Sequence, residues 1–405
     1  MNEAESVRTE AHGRSLGGSG GSRPIEVPPI PSNPSSNAFR SDAVATVAKG
    51  RIAQLDGWRG VSILFVITGH LLNSRYSSLG PLDYPFPIAA LLASWGVDIF
   101  FVISGFIITK LALSERDTTG SFSTRAFYVR RFFRIIPPFF LYLAFIILVT
   151  SAGLISQSQS DTLLAATFTC NLPLPHCGWF AGHSWTLAYE EQFYLIFPLL
   201  FALSGRRARL VFVALFILLV SFPFLRHLLQ LGAISRAIAG FLPSFVFICA
   251  GSVMAAYEPV LKQLSDSQCA VYLTYLATGC VLGLILFLRT SAEPGSPSFY
   301  LQASLSITIL PVSIAWLVGN SLYRQSWFTG VLKTKALQFL GLISYSLYLW
   351  QELFTAHPSA YLADSWLLFS PGMFLFAATS YYLIERPCVR FAKRLLATSP
   401  QVRTG

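Results

Sequence analysis

Arg59 and His70 stand eleven residues apart in RIAQLDGWRGVSILFVITGHLL, a run otherwise apolar enough to be a buried helix that also holds Asp56. At helical rise that spacing is about 16 Å. An ionisable group so deep in apolar surroundings is costly and marks a site or pathway by default. Imidazole titrates near neutrality, which suits it to take a proton from a hydroxyl or relay a group; the bland alternative is a neutral histidine satisfied by a neighbouring helix. Asp98, in SWGVDIFFVISGFIITK, is either the acidic partner that fixes a histidine tautomer or an interfacial residue. The segment RAFYVRRFFRIIPP packs together Arg125, Arg130, Arg131 and Arg134. Guanidinium forks bind phosphate oxygens in pairs and keep their charge, although any single arginine there is explained by anchoring at a membrane face. Phe127, Tyr128, Phe132 and Phe133, interleaved with them, either stack an adenine or meet that face.

Two more groups of polar residues interrupt apolar runs. HSWTLAYEEQFYLIFP carries Glu190 and Glu191 side by side. Adjacent helical positions do not share a face, so one is expected on a cavity while the other caps or pairs with an arginine. His183, just before this run, reads as a solvated loop residue. LQFLGLISYSLYLWQELF and FAATSYYLIERP place Ser344, Tyr345, Tyr348, Gln351, Glu352, Ser380, Tyr381 and Glu385 on apolar helices, where such groups often serve only as interhelical hydrogen bonds. No G-x-S-x-G elbow, P-loop, H-E-x-x-H or kinase signature is present, which argues against soluble hydrolases and nucleotide-driven transporters. The six cysteines show no C-x-x-C and no zinc spacing, so no metal is expected.

The elements that position these residues are set by composition. Of 405 residues, 53% are hydrophobic and 12% charged, with a mean hydropathy of +0.56; an ordinary soluble domain carries about a quarter charged residues. Apolar windows of membrane-spanning length fall near 56–75, 90–111, 135–154, 185–204, 209–224, 237–256, 270–288, 300–319, 337–355 and 364–384. The expected fold is therefore all-α, a polytopic membrane helical bundle of about ten transmembrane helices with both termini cytoplasmic. With that orientation every Lys and Arg except Arg75, Arg226, Arg236 and Arg289 falls on the cytoplasmic side. The net charge of +10 is then a matter of membrane topology, and no nucleic-acid partner is expected. Residues 1–48, rich in Gly, Ser and Pro, read as a disordered cytoplasmic tail without a cleavable signal; residues 49–390 form the membrane domain and 391–405 a short basic tail. Cys170 and Cys177 fall in the external segment between the third and fourth spans, where an oxidising compartment would let them pair. The other four cysteines read as small apolar fillers.

Taken in order, LDGWRG with the Arg59-to-His70 spacing, WGVDIFFVISGF, FYVRRFFRIIPP with Arg131 and Arg134, SWTLAYEEQFYLIFP, ISYSLYLW and IERP resemble the membrane-bound acyltransferase-3 family over residues 51–390. That family includes O-acyltransferases of lipopolysaccharide O-antigen, other surface glycans, lipo-oligosaccharides and macrolides. The resemblance implies an enzyme of a bacterial inner membrane that takes an acyl group, commonly acetyl, from acyl-CoA as donor substrate, with no permanently bound cofactor. It delivers that group to a hydroxyl of a saccharide or glycolipid, or else of a small natural product. In this picture His70 is the base or relay, Arg59, Arg130, Arg131 and Arg134 hold phosphates or polarise the thioester carbonyl, and Asp98, Glu190 or Glu191 orient partners. Ser344, Tyr345, Tyr348, Gln351 and Glu385 support them. One departure stands out: where many members carry His after YLW, this chain has Gln351, to which no acid or base role transfers. The external hydrolase-like domain often fused to such proteins is not expected, so acceptor choice would lie in the membrane domain and its loops. A proton-coupled secondary transporter is the alternative of another class, but no internal repeat of the transporter kind is evident. A silent relative that only binds lipid or glycan is disfavoured by the presence of Arg59, His70 and the arginine pair.

Overall fold

The computed structural model describes residues 52–76, 86–172, 177–229, 242–288, 297–356 and 370–398. Every regular element among them is helical. In chain order these are α1 (Ala53–Tyr76), α2 (Phe86–Thr119), α3 (Thr124–Ser151), α4 (Gln159–Ala166), α5 (Gly178–Gly182), α6 (Ser184–Ser204) and α7 (Ala208–Leu228). They continue with α8 (Pro243–Ala256), α9 (Glu258–Asp266), α10 (Cys269–Leu288), α11 (Pro297–Tyr323), α12 (Trp327–Leu332) and α13 (Lys335–Thr355). α14 (Ser370–Ser380) runs through five residues of π-helix, Tyr381–Glu385, into α15 (Arg386–Thr398). A helix thus stands at each of the ten expected positions. The beginnings of the expected spans at 237–256 and 364–384, and the expected tail at 1–48, lie outside the described residues.

Among the described residues three helical stretches, Ala89–Thr119, Thr124–Ser151 and Leu301–Tyr323, are long and apolar enough to cross a membrane, with a fourth if α8 and α9, bent by 77°, count as one span. α1, α6 and α13 are 24, 21 and 21 residues long, about 30 Å or more at helical rise, but polar and ionisable groups dilute them. Those same three helices carry most of the chemistry-bearing residues. The expected basic tail after residue 390 is, as far as it is described, the end of α15, an amphipathic helix packed on the start of α3 through Phe391 and Phe133.

The centre of the bundle is α1, α2, α8 and α13, packed in extensive pairwise contact. Two close approaches make this possible. A β-carbon at Gly105 would run into the Ile248 carbonyl, and one at Gly341 into the Asp56 carbonyl, so glycine lets α2 meet α8 and α13 meet α1 backbone to backbone. One consequence is polarity along the bundle axis. Arg59, Arg116, Arg125, Arg131 and Lys335 gather toward one end, as the Arg116 bond to the Gly205 carbonyl and the approach of Gly60 to Leu337 show. His70, Gln351 and the disulfide lie toward the other. On the outside of α6, Leu195, Leu199 and Leu203 form an exposed apolar stripe, a surface suited to an apolar surrounding.

Candidate active site

A cavity opens between α1, α2, α3, α6 and α13, with an empty volume of about 750 Å³ including its mouth. Its polar lining is Arg59 from α1, Ser104 from α2, Arg131 and Arg134 from α3, Thr186, Glu190 and Tyr194 from α6, and Ser344, Tyr345 and Tyr348 from α13. Phe100, Phe101, Val97 and Ile107 supply an apolar wall. Three guanidiniums therefore face one space with a single lining carboxylate, an excess of positive charge that an anionic ligand would relieve.

The lining is ordered by short-range geometry. The Arg131 guanidinium lies 5.0 Å from the Tyr194 ring centre and 5.9 Å from that of Phe127, a cation–π arrangement that fixes the plane of the fork. Tyr194 donates to Glu190 Oε2 at 3.3 Å and pairs with the Ser104 hydroxyl at 2.8 Å. Tyr345 donates to the Ile135 carbonyl at 2.8 Å, in the turn of α3 that also holds Pro137 and Pro138. Ser344 is turned back onto its own helix, donating to the Gly341 carbonyl. Glu385 is buried beside the cavity, accepts from Ser346 at 2.8 Å, and is acted on by the charges of Arg134 and Arg59.

Not every residue grouped by sequence reaches this space. Arg130 turns away, donating to Glu115 at 3.0 Å with a side chain 40% exposed. Of the two adjacent acids, Glu190 lines the cavity, while Glu191 is packed beside it with Oε1 buried and without a hydrogen bond among the described residues. Asp98 does not pair with His70. Gly69 meets Ala89 and Ala93 where α1 and α2 run antiparallel, so Asp98, five residues past Ala93, sits further toward the Arg59 end.

His70 belongs to a second polar cluster, at the other end of α1. Its Nδ1 lies 2.8 Å from Gln351 Oε1, and its ring is 5.7 Å from that of Trp179. The next residue of α13, Glu352, holds the loop: its Oε2 lies 2.7 Å from His183 Nδ1 and accepts from the His183 amide, while its carbonyl accepts from Trp179 Nε1. His183 is thus 2% exposed, which overturns its reading as a solvated loop residue: the carboxylate across the bundle draws it inward. Glu352, noted in the sequence only as one polar group among several, is its partner. Tyr348 connects the two clusters. Its hydroxyl pairs with Thr186 at 2.7 Å and donates to the His183 carbonyl at 3.1 Å, and both Tyr348 and Thr186 line the cavity.

The loop that carries Trp179 and His183 is tied down at its base. Cys170 and Cys177 are joined by a disulfide with Cα atoms 5.8 Å apart. Gly178, at φ +65°, makes the left-handed turn into α5 that a side chain would resist. Ser184 donates to Cys170 Sγ, and Tyr142 to the Phe180 carbonyl at 2.6 Å.

The structure defines a helical protein with an arginine-lined cavity and an adjoining histidine cluster, and comparison with known proteins assigns its family. An acyltransferase-domain model of the acyltransferase-3 family matches residues 52–385, and the chain belongs to that family. Among curated proteins, a candidate O-acetyltransferase of Staphylococcus aureus (strain COL) is 26% identical over 375 residues, covering 83% of this chain and 57% of its own length. The O-acetyltransferase OatA of Staphylococcus aureus (strain MRSA252) is 27% identical over 379 residues, covering 86% of this chain and 59% of its own. The chain therefore spans a little over half the length of the curated relatives it matches. No solved structure matches it.

Proposed function

We propose that this protein is an integral membrane O-acyltransferase of about ten spans, both termini cytoplasmic, in a bacterial inner membrane. It moves an acyl group, acetyl by preference, from acyl-CoA to a hydroxyl of a cell-surface or exported saccharide. The observation that carries the reading is the convergence of Arg59, Arg131 and Arg134 on one cavity, at the end of the bundle where the basic residues gather and hence on the cytoplasmic side. Guanidiniums there suit the phosphates of an acyl-CoA. Arg59 and His70 are about 16 Å apart along α1, a separation of the kind that the pantetheine arm puts between those phosphates and the thioester. The acceptor hydroxyl would meet the thioester near His70, from the opposite side.

In the step itself the acceptor oxygen attacks the thioester carbonyl. The new C–O bond forms as C–S breaks, His70 takes the hydroxyl proton, and that proton leaves with the CoA thiolate. Withdrawing one proton in place is worth on the order of 10²–10⁴-fold, so His70→Ala should lose most activity while still binding donor. The test is mass spectrometry of surface and exported glycans from cells carrying wild type, His70→Ala or no copy, at matched protein levels. An added acyl mass confined to wild type supports the reading. Persistence of that mass in His70→Ala removes His70 from the chemistry, and identical glycans in all three remove the saccharide acceptor.

A further inference from the structure

Gln351 stands where a histidine base needs help, and it is completely buried. Its Oε1 has two neighbours that can donate, His70 Nδ1 at 2.8 Å and the Thr355 hydroxyl at 3.3 Å. Its Nε2 has no hydrogen-bond partner among the described residues. An oxygen that collects two donors while the amide nitrogen stays empty puts the proton of His70 on Nδ1. The lone pair is then on Nε2, the nitrogen on the far side of the ring.

The geometry points to Gln351 as the positioning residue that fixes the tautomer and orientation of His70, leaving Nε2 as the atom that takes the acceptor proton; this rests on the proposed transferase reaction. Among the described residues, the acids on the elements that flank this end of α1 bond or lie elsewhere. Glu352 of α13 spends its carboxylate on His183, and Asp98 of α2 lies further toward the Arg59 end. α5 contributes Trp179, whose ring packs at a tilt against that of His70 and whose Nε1 donates to the Glu352 carbonyl. α11 and α12 meet α1 at its opposite end, through Ser321 with Trp58 and Leu332 with Gly57. Gln351 therefore does with a neutral amide what a carboxylate does in a triad: it orients the ring and selects the tautomer. Unlike a carboxylate, it adds no charge to stabilise the imidazolium.

The two residues to place at 351 are Leu and Glu. Leucine keeps the volume and removes the acceptor, whereas an ionised glutamate accepts from Nδ1–H but cannot donate. With purified protein in nanodiscs, Gln351→Leu should lower kcat by about 10²-fold and leave KM for acetyl-CoA unchanged, and Gln351→Glu should recover much of that loss. A wild-type kcat in Gln351→Leu, a change confined to KM, or a Gln351→Glu variant as slow as Gln351→Leu would each overturn the assignment; the last would mean that the amide nitrogen faces the ring. Solid-state spectra of ¹⁵N-histidine, with His70→Ala to locate the signal, give a second readout that needs no activity. Protonated Nδ1 in wild type and a redistributed signal in Gln351→Leu are expected, and a His70 protonated at Nε2 in wild type overturns the proposal. A wild type with the expected spectrum that transfers no acyl group would remove the proposed reaction and keep the tautomer assignment.

Discussion

Single side chains in this protein are sorted by which face of a helix they occupy. Arg131 and Arg134 are three positions apart and line the cavity together, whereas Arg130 is diverted to Glu115. The R-x-x-R spacing was legible in the sequence, but the choice between Arg130 and Arg131 was not, because it depends on where the rest of α3 packs. The same holds for Glu190 over Glu191. Arg131 also has a fixed orientation, with its guanidinium over Tyr194 and Phe127. An ammonium group lacks the flat fork that stacks there and binds phosphate oxygens in pairs. We expect Arg131→Lys to raise KM for acetyl-CoA by about tenfold, the equivalent of the ~1.5 kcal/mol that one hydrogen bond to a charged group contributes, with little change in kcat. Initial rates over a range of acetyl-CoA concentrations check this, and an unchanged KM would take Arg131 out of donor binding.

Helices were far more legible than the contacts between them. Apolar runs placed a helix at each expected position because burial in any apolar medium needs the same continuous hydrophobic stretch. Three features escaped. The 77° bend between α8 and α9 sits at Tyr257 and Glu258, where Glu258 accepts from Lys110 and Tyr323, partners that no local pattern reveals. α15 looked like a tail because its exposed face is basic. The His183–Glu352 pair joins residues 169 positions apart, so only packing of α13 against the α5 loop brings them together; a carboxylate directly after Gln351 in an apolar run was the available hint. Close packing also makes helix glycines unequal. Ala at Gly341 would drive a β-carbon into the Asp56 backbone and separate α13 from α1, whereas Gly279 of α10 has open space around it. Alanine is the better helix former by up to about 1 kcal/mol. Gly341→Ala should therefore lower the thermal midpoint of the detergent-solubilised protein by several degrees, and Gly279→Ala should leave it level or raise it. Equal effects at the two positions would contradict the backbone contact between α1 and α13.

For the molecule as a whole, the proposed reaction needs two faces. A donor of the cytoplasm must enter at the arginine end, and an exported acceptor at the end that holds His70, Trp179 and the disulfide. Charge and covalent chemistry agree on that direction: basic residues are retained on the cytoplasmic side, and disulfides persist in oxidising compartments. Two exposed serines mark the two ends. Ser121 lies between α2 and α3, beside the arginine cluster, and Ser160 lies in α4, on the segment between α3 and the disulfide loop. In a chain with Cys249, Cys269, Cys280 and Cys388 replaced by Ala and the disulfide kept, a membrane-impermeant maleimide should label Ser160→Cys in intact cells. Ser121→Cys should react only after the membrane is opened. The opposite pattern would put the arginine-lined cavity on the external face, away from any cytoplasmic acyl-CoA, and the donor would have to be sought among exported acyl carriers. Labelling of both in intact cells would mean that the chain does not separate two compartments at all, and with it the two-sided route for the acyl group would fail.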